Sequence, residues 1–167
     1  AMGHSRILLV RRAEGAEPGI DRATGHREGL EAAGLPFTSD LVHQVGDGSE
    51  IDADLLRSWT DAGITAILVE PREADDIGLA LEQAAATAGI RIPTDLSVAF
   101  LGEAPAPTPT RIWTSLALPR AEMGQEAVRM LITLLEDRDA GPLQKLLPCE
   151  PVDGNSIALA SSVSVYT

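Results

Sequence analysis

The sequence predicts an α/β fold, a doubly wound parallel sheet, from three observations. Short unbroken apolar runs alternate with segments of helical period, glycines close the helical segments, and aromatic residues make up only 3% of the chain. Strands that read as continuous apolar runs are buried on both faces, as in parallel sheets covered by helices.

The elements follow in order. Arg6-Ile7-Leu8-Leu9-Val10 ends in charge and is the first strand. After the loop through Glu17-Pro18-Gly19, residues Ile20, Ala23, Arg27, Leu30 and Ala33 keep a helical spacing that stops at Gly34, ahead of Pro36. Residues 40–45 alternate and are expected to form the second strand. In the loop Gly46-Asp47-Gly48-Ser49, Ser49 is placed to cap a helix with Asp52 three residues on. That helix should present Ile51, Leu55, Trp59 and Ala62 on one face and end at Gly63. The third unit is a strand over 65–69, the loop Glu70-Pro71-Arg72, and a helix through Ile77, Leu81, Ala84, Ala85 and Ala88 closed by Gly89. Ile92-Pro93-Thr94-Asp95 leads into a fourth strand over 96–101.

From Gly102 the pattern changes, because Ala104-Pro105-Ala106-Pro107-Thr108-Pro109 cannot be helical and suits a linker or extended crossover. Residues 111–116 read as a further strand. Over 120–136, Met123, Ala127, Met130, Leu131 and Leu134 make the clearest apolar stripe in the chain. Leu146-Leu147-Pro148, then Ile157, Leu159, Val163 and Val165 at odd positions, suggest terminal strands. No internal repeat or coiled-coil heptad is present.

The charge narrows the function classes. The 13 basic and 25 acidic residues give a formal charge of -12, which repels polyphosphate, so this stretch by itself is not expected to bind DNA. The apolar runs fall far short of the ~20 residues that span a bilayer, and no signal-peptide pattern opens the chain, so no membrane partner is expected. The lone Cys149 excludes an internal disulfide and agrees with a cytoplasmic location.

Several segments in shared order carry a resemblance. Gly3-His4-Ser5-Arg6-Ile7 is followed by Arg22-Ala23-Thr24-Gly25-His26-Arg27-Glu28-Gly29-Leu30 with Gly34, then Thr65-Ala66-Ile67 and Ile92-Pro93-Thr94-Asp95-Leu96-Ser97-Val98. Thr114-Ser115-Leu116 with Met123-Gly124 and Ala127, and finally Leu146-Leu147-Pro148, complete the series. Together they resemble the effector-binding part of LacI/GalR-type transcription regulators. No single motif is specific, but their order over nearly the whole chain is. The resemblance begins partway through that family's domain, so a first lobe and a helix-turn-helix headpiece are expected upstream of Ala1. It implies a periplasmic-binding-protein-like fold in which ligand sits between two lobes. Residues 1–103 would form the C-terminal lobe and residues 104–119 the crossover. Residues 120–167 would be the helix and terminal strands that in relatives pack on the other lobe. Without that lobe, Met123, Met130, Leu131 and Leu134 would form an exposed apolar patch that favours oligomerisation.

The resemblance also implies a site. Arg22 corresponds to an arginine that in relatives hydrogen-bonds a sugar or purine from the cleft, and its planar fork suits polyols and carboxylates. The plainer role is a solvated arginine paired with Asp21 or Glu17. Asp47 and Gly48 lie where relatives place a stacking aromatic. Arg72 and Glu73 lie where relatives carry an Asn-Asp pair, and Gly102-Glu103 where they carry Asp-Asp or Asn-Asp. These departures imply either an unusual effector, acidic and read by Arg22 and Arg72, or decayed binding. Ile77, Leu81 and Pro107 match regions that form the subunit interface in relatives, so a homodimer is expected.

Catalytic roles find less support. His4, His26 and His43 do not have metal spacing, Cys149 has no nearby base in sequence, and Gly46-Asp47-Gly48 opens no phosphate loop. Asp52 and Asp54, like Asp75 and Asp76, sit at helix starts where the helix dipole explains them. No enzyme activity, cofactor or metal is expected. The expected function is the effector-sensing and dimerisation region of a bacterial regulator, binding a small molecule and reaching DNA only through the headpiece. The alternative is a lobe of an exported solute-binding protein. A receiver domain would need acidic residues where Arg11 and Arg12 end the first strand.

Overall fold

The computed structural model describes residues 2–12, 17–46, 48–70, 77–137 and 141–160. Strands β1 (Ile7–Arg12), β2 (Val42–Val45), β3 (Ala66–Val69) and β4 (Ser97–Phe100) form a four-stranded sheet in the order β2-β1-β3-β4, all pairs parallel. Helices α1 (Glu17–Ala32), α2 (Ala53–Asp61) and α3 (Ile77–Ala88) connect them. The expected α/β class and parallel sheet are what the structure shows.

Alternate residues of each strand point to opposite faces, so each strand contributes to two layers. On one face Leu8, Val10, Ile67, Val69, Val98 and Phe100 pack with Leu56 and Trp59 of α2 and Ile77, Leu81, Ala84 and Ala85 of α3. Trp113 joins this core edge-on to Phe100, with ring centroids 5.4 Å apart. Gly78 makes room for it: a Cβ there would stand 2.9 Å from Trp113 Nε1 and 3.1 Å from Pro105. On the other face, among residues 20–32 of α1, His26 and Leu30, one turn apart, are the buried ones. That differs from the expected stripe, since Ile20, Arg27 and Ala33 are exposed. Over these residues the helix covers the sheet by a narrow strip, half of it polar.

Helix α2 is capped differently from the expectation. Gly48–Glu50 forms a 3-10 turn, and Asp52 is the N-cap, its Oδ1 accepting from the Leu55 amide at 2.8 Å. A short polar side chain just before the first helical turn satisfies an amide that has no intrahelical partner. Leu56 replaces Leu55 as the fully buried residue, and Ala62 is exposed.

Beyond β4, Ala99 bridges Thr114, and β5 (Ser115–Ala117) pairs antiparallel with β6 (Glu150–Val152). The predicted strand at Leu146-Leu147-Pro148 therefore lies a few residues later, and Leu146 is 88% exposed. Residues 155–160, grouped by the sequence with the terminal helix, return instead to the main sheet. The Val98 amide donates to Ser156 O at 2.7 Å, and the Ala158 amide to Ser97 Oγ at 3.0 Å. Ala160 N donates to Met2 O at 2.8 Å, so the first and last described residues are neighbours. Val163 and Val165 lie outside the described residues. Helix α4 (Arg120–Glu136) has no buried residue, and Met123, Val128, Leu131, Ile132, Leu134 and Leu135 are exposed. Among the described residues no helix is long and apolar enough to cross a membrane.

Candidate functional site

The strand order places the reversal of winding at β1, whose neighbours are β2 on one side and β3 on the other. The chain leaves β1 towards β2 and β3 towards β4, in opposite directions, and the crevice expected beyond the carboxyl ends of strands at such a reversal is the usual ligand position. Arg22 approaches from α1, and Glu70 directly follows β3. Arg22 Nη1 donates to Glu70 Oε1 at 2.6 Å, across the two strands that flank the reversal. The Glu70 amide donates to Val10 O at 2.9 Å, fixing its backbone to β1. Glu70 is buried, whereas the Arg22 side chain keeps 30% of its surface exposed. The arginine is thus oriented by a buried carboxylate and stays partly exposed.

This pairing gives Arg22 a partner the sequence did not suggest: Glu70, 48 residues away. Sequence reading passed over Glu70 as one residue of a loop. The signal available was its place at the end of a strand predicted to be central.

The other predicted residues are placed as follows. Gly48 opens the 3-10 turn after β2, and a Cβ on it would stand 3.5 Å from Ile77 Cα and 3.8 Å from Ala80 Cβ. The β2 loop therefore lies close against the start of α3. Asp47, Arg72 and Glu73 lie outside the described residues. Glu103, exposed after β4, accepts from Arg120 Nε at 2.8 Å, and that guanidinium holds its carboxyl below the usual range. The contact ties the β4 loop to the first turn of α4.

The interface residues need correction. Ile77 and Leu81 are 2% and 0% exposed, packed in this chain's own core, so they have no surface to offer a partner. The exposed large apolar residue of α3 is Leu79. Pro107 is exposed, on a segment held to α3 by Thr108 and Thr110, whose hydroxyls reach Glu82 Oε1 at 3.1 and 3.3 Å. Arg111 completes that clip, donating to Ile92 O at 2.7 Å and Asn155 O at 2.8 Å.

The histidines are structural in their contacts. His26 Nε2 meets Ile7 O at 3.0 Å, and burial lowers the pKa of its imidazole against the raising effect of that bond. His4 bridges Thr65 Oγ1 and Ala158 O, both at 2.9 Å. An apolar cavity of about 550 Å³ opens beside Gly3, His4, Ile7, Leu35, Leu68 and Ala99, towards the strands' amino ends and away from Arg22.

The sequence matches the family model described as the periplasmic binding protein-like domain over residues 1–157. It is 26% identical over 148 residues to the HTH-type transcriptional regulator CelR of Thermobifida fusca, covering 87% of this chain and 43% of that protein. It is 27% identical over 146 residues to catabolite control protein A of Streptococcus mutans, covering 83% of this chain and 41% of that protein. The solved transcriptional regulator CelR-cellobiose complex superposes with a TM-score of 0.70 at 25% identity, covering 92% of this chain and 47% of that chain. The chain thus spans less than half the length of the curated relatives it matches. It belongs to the periplasmic binding protein-like domain family, in the form found in the effector-binding domains of LacI/GalR-type regulators.

Proposed function

We propose that this chain is the effector-sensing and dimerisation region of a bacterial transcription regulator, taking a sugar-like effector at the crevice beyond β1 and β3. The observation that carries the reading is the Arg22–Glu70 pair at the reversal of winding. A guanidinium only donates and a carboxylate only accepts, while a hydroxyl does both, so adjacent hydroxyls of a polyol can be held by the pair together. The cellobiose in the CelR relative supports an effector of this class. Effector binding would bias the closure of two lobes, and the differential affinity for the two states would set DNA binding by a separate headpiece. The charge of -12 fits a region that does not itself touch DNA. Self-association would use the surface around Leu79 and Pro107, both exposed.

The test is calorimetric titration of the complete protein that carries this chain with cellobiose, glucose and ribose, alongside anisotropy of labelled DNA from its own promoter region. At least one saccharide should bind saturably and change DNA retention. Arg22→Ala should weaken that binding by roughly tenfold to a hundredfold, the worth of a hydrogen bond to a charged group. A protein that binds none of these sugars, or whose DNA binding ignores them, is not this kind of sensor.

A further inference from the structure

We infer that Glu70 is a specificity-determining residue that turns away anionic effectors, such as phosphorylated or carboxylated sugars, and reserves Arg22 for neutral polyols. The inference rests on the reading of Arg22 as an effector contact. It reverses the expectation from sequence that an acidic effector would be read by Arg22.

Glu70 Oε1 already occupies an edge of the Arg22 guanidinium, at 2.6 Å, where the oxygen of a phosphate or carboxylate would bind. Its backbone is held to Val10, and its side chain is 7% exposed, so the carboxylate cannot simply swing into solvent to clear the way. An anion that drew Arg22 to itself would compete with a buried carboxylate for the same donor, and the cost of breaking that pair grows as water is excluded. A neutral hydroxyl avoids that cost. It can accept from the exposed part of Arg22 while the pair stays intact. Selectivity of this kind comes from a built-in repulsive element as much as from attraction to the preferred ligand.

The test measures inorganic phosphate binding by calorimetry and by thermal shift in the complete protein, comparing wild type with Glu70→Gln and Glu70→Ser. Wild type should show little phosphate affinity. Either Glu70 variant should gain on the order of tenfold or more. Adding Arg22→Ala to either variant should abolish the gain, which separates unmasking of Arg22 from a general change in charge. Glucose and cellobiose affinities should change less than phosphate affinity in the same variants. Tight phosphate binding by wild type would overturn the inference without any variant being needed. So would folded Glu70 variants that gain nothing, or a gain that survives loss of Arg22. Failure of the sensor reading looks different: no saccharide binds any form, while the phosphate measurement still reports on Glu70.

Discussion

Ser156 meets Val98 at both of its peptide groups: the Val98 amide donates to Ser156 O, and Ser156 Oγ donates to Val98 O, each at 2.7 Å. The same hydroxyl accepts from the Thr114 amide at 2.8 Å and is fully buried. One side chain thus joins the edge of β4, the strand crossover and the chain's last described stretch. Ser156→Ala should strip buried backbone groups of their partner and cost about 1–3 kcal/mol. Urea denaturation should show a lower midpoint with little change in slope, and an unchanged midpoint would refute the assignment.

Gly154 sits where a Cβ would stand 2.3 Å from Ile112 O, 2.5 Å from Thr114 N and 2.6 Å from Trp113 C. All three are backbone atoms and cannot rotate away. Gly154→Ala should therefore push the crossover off β4 and destabilise the fold by roughly 1–3 kcal/mol or more through overpacking. Gly25→Ala is the control, because nothing lies within 4 Å of a Cβ there. Thermal melting of the two variants should separate clearly.

His26 gives a pH dependence whose sign follows from its burial. Its folded pKa lies below the ordinary value of 6.5, so between the two values the unfolded chain carries the extra proton. This contribution to stability is complete above about pH 6.5 and declines as pH falls towards the folded value. Urea midpoints measured from neutral to mildly acidic pH should drop, and His26→Phe should flatten that part of the profile. An equal slope in the variant would place the titration elsewhere.

The exposed residues of α4 predict self-association of this chain when it is produced alone. Leu131 and Leu135 are 56% and 72% exposed. Replacing both with glutamate should shift sedimentation towards monomer while leaving the unfolding midpoint nearly unchanged, as surface substitutions usually do within about 0.5 kcal/mol. A large loss of stability would mean that the helix face is packed in solution.

The sheet was readable because Leu8, Leu9 and Val10 are all at most 1% exposed, so their run carries no polar interruption. The helix at 120–136 was readable from period alone, although period says nothing of what it packs against. Helix α1 was misread in detail because its buried positions are His26 and Leu30, and a buried imidazole bonded to a backbone carbonyl does not register as apolar. The cap moved from Ser49 to Asp52 because the intervening residues close a 3-10 turn first. At the site, Arg22 was legible by resemblance and Glu70 was not. Their contact spans 48 residues and depends on β1 and β3 being adjacent, which only the topology supplies. The same holds for Ile77 and Leu81, whose helical spacing identifies a packed face without saying whether the packing lies within one chain or between two.

Synthesis of the chain imposes an order on its completion. β4 is translated as residues 97–100, yet its outer edge is met by Thr114 and, later still, by Ser156 and Ala158. A nascent chain that has released β4 from the ribosome carries a strand edge covered only at its end, by Thr114, until more than fifty further residues emerge (Ser156 follows Phe100 by 56 positions). During that interval the edge is open to another strand. Truncation before Ser156 would make the interval permanent, and such products should accumulate as aggregates while the longer chain stays in solution.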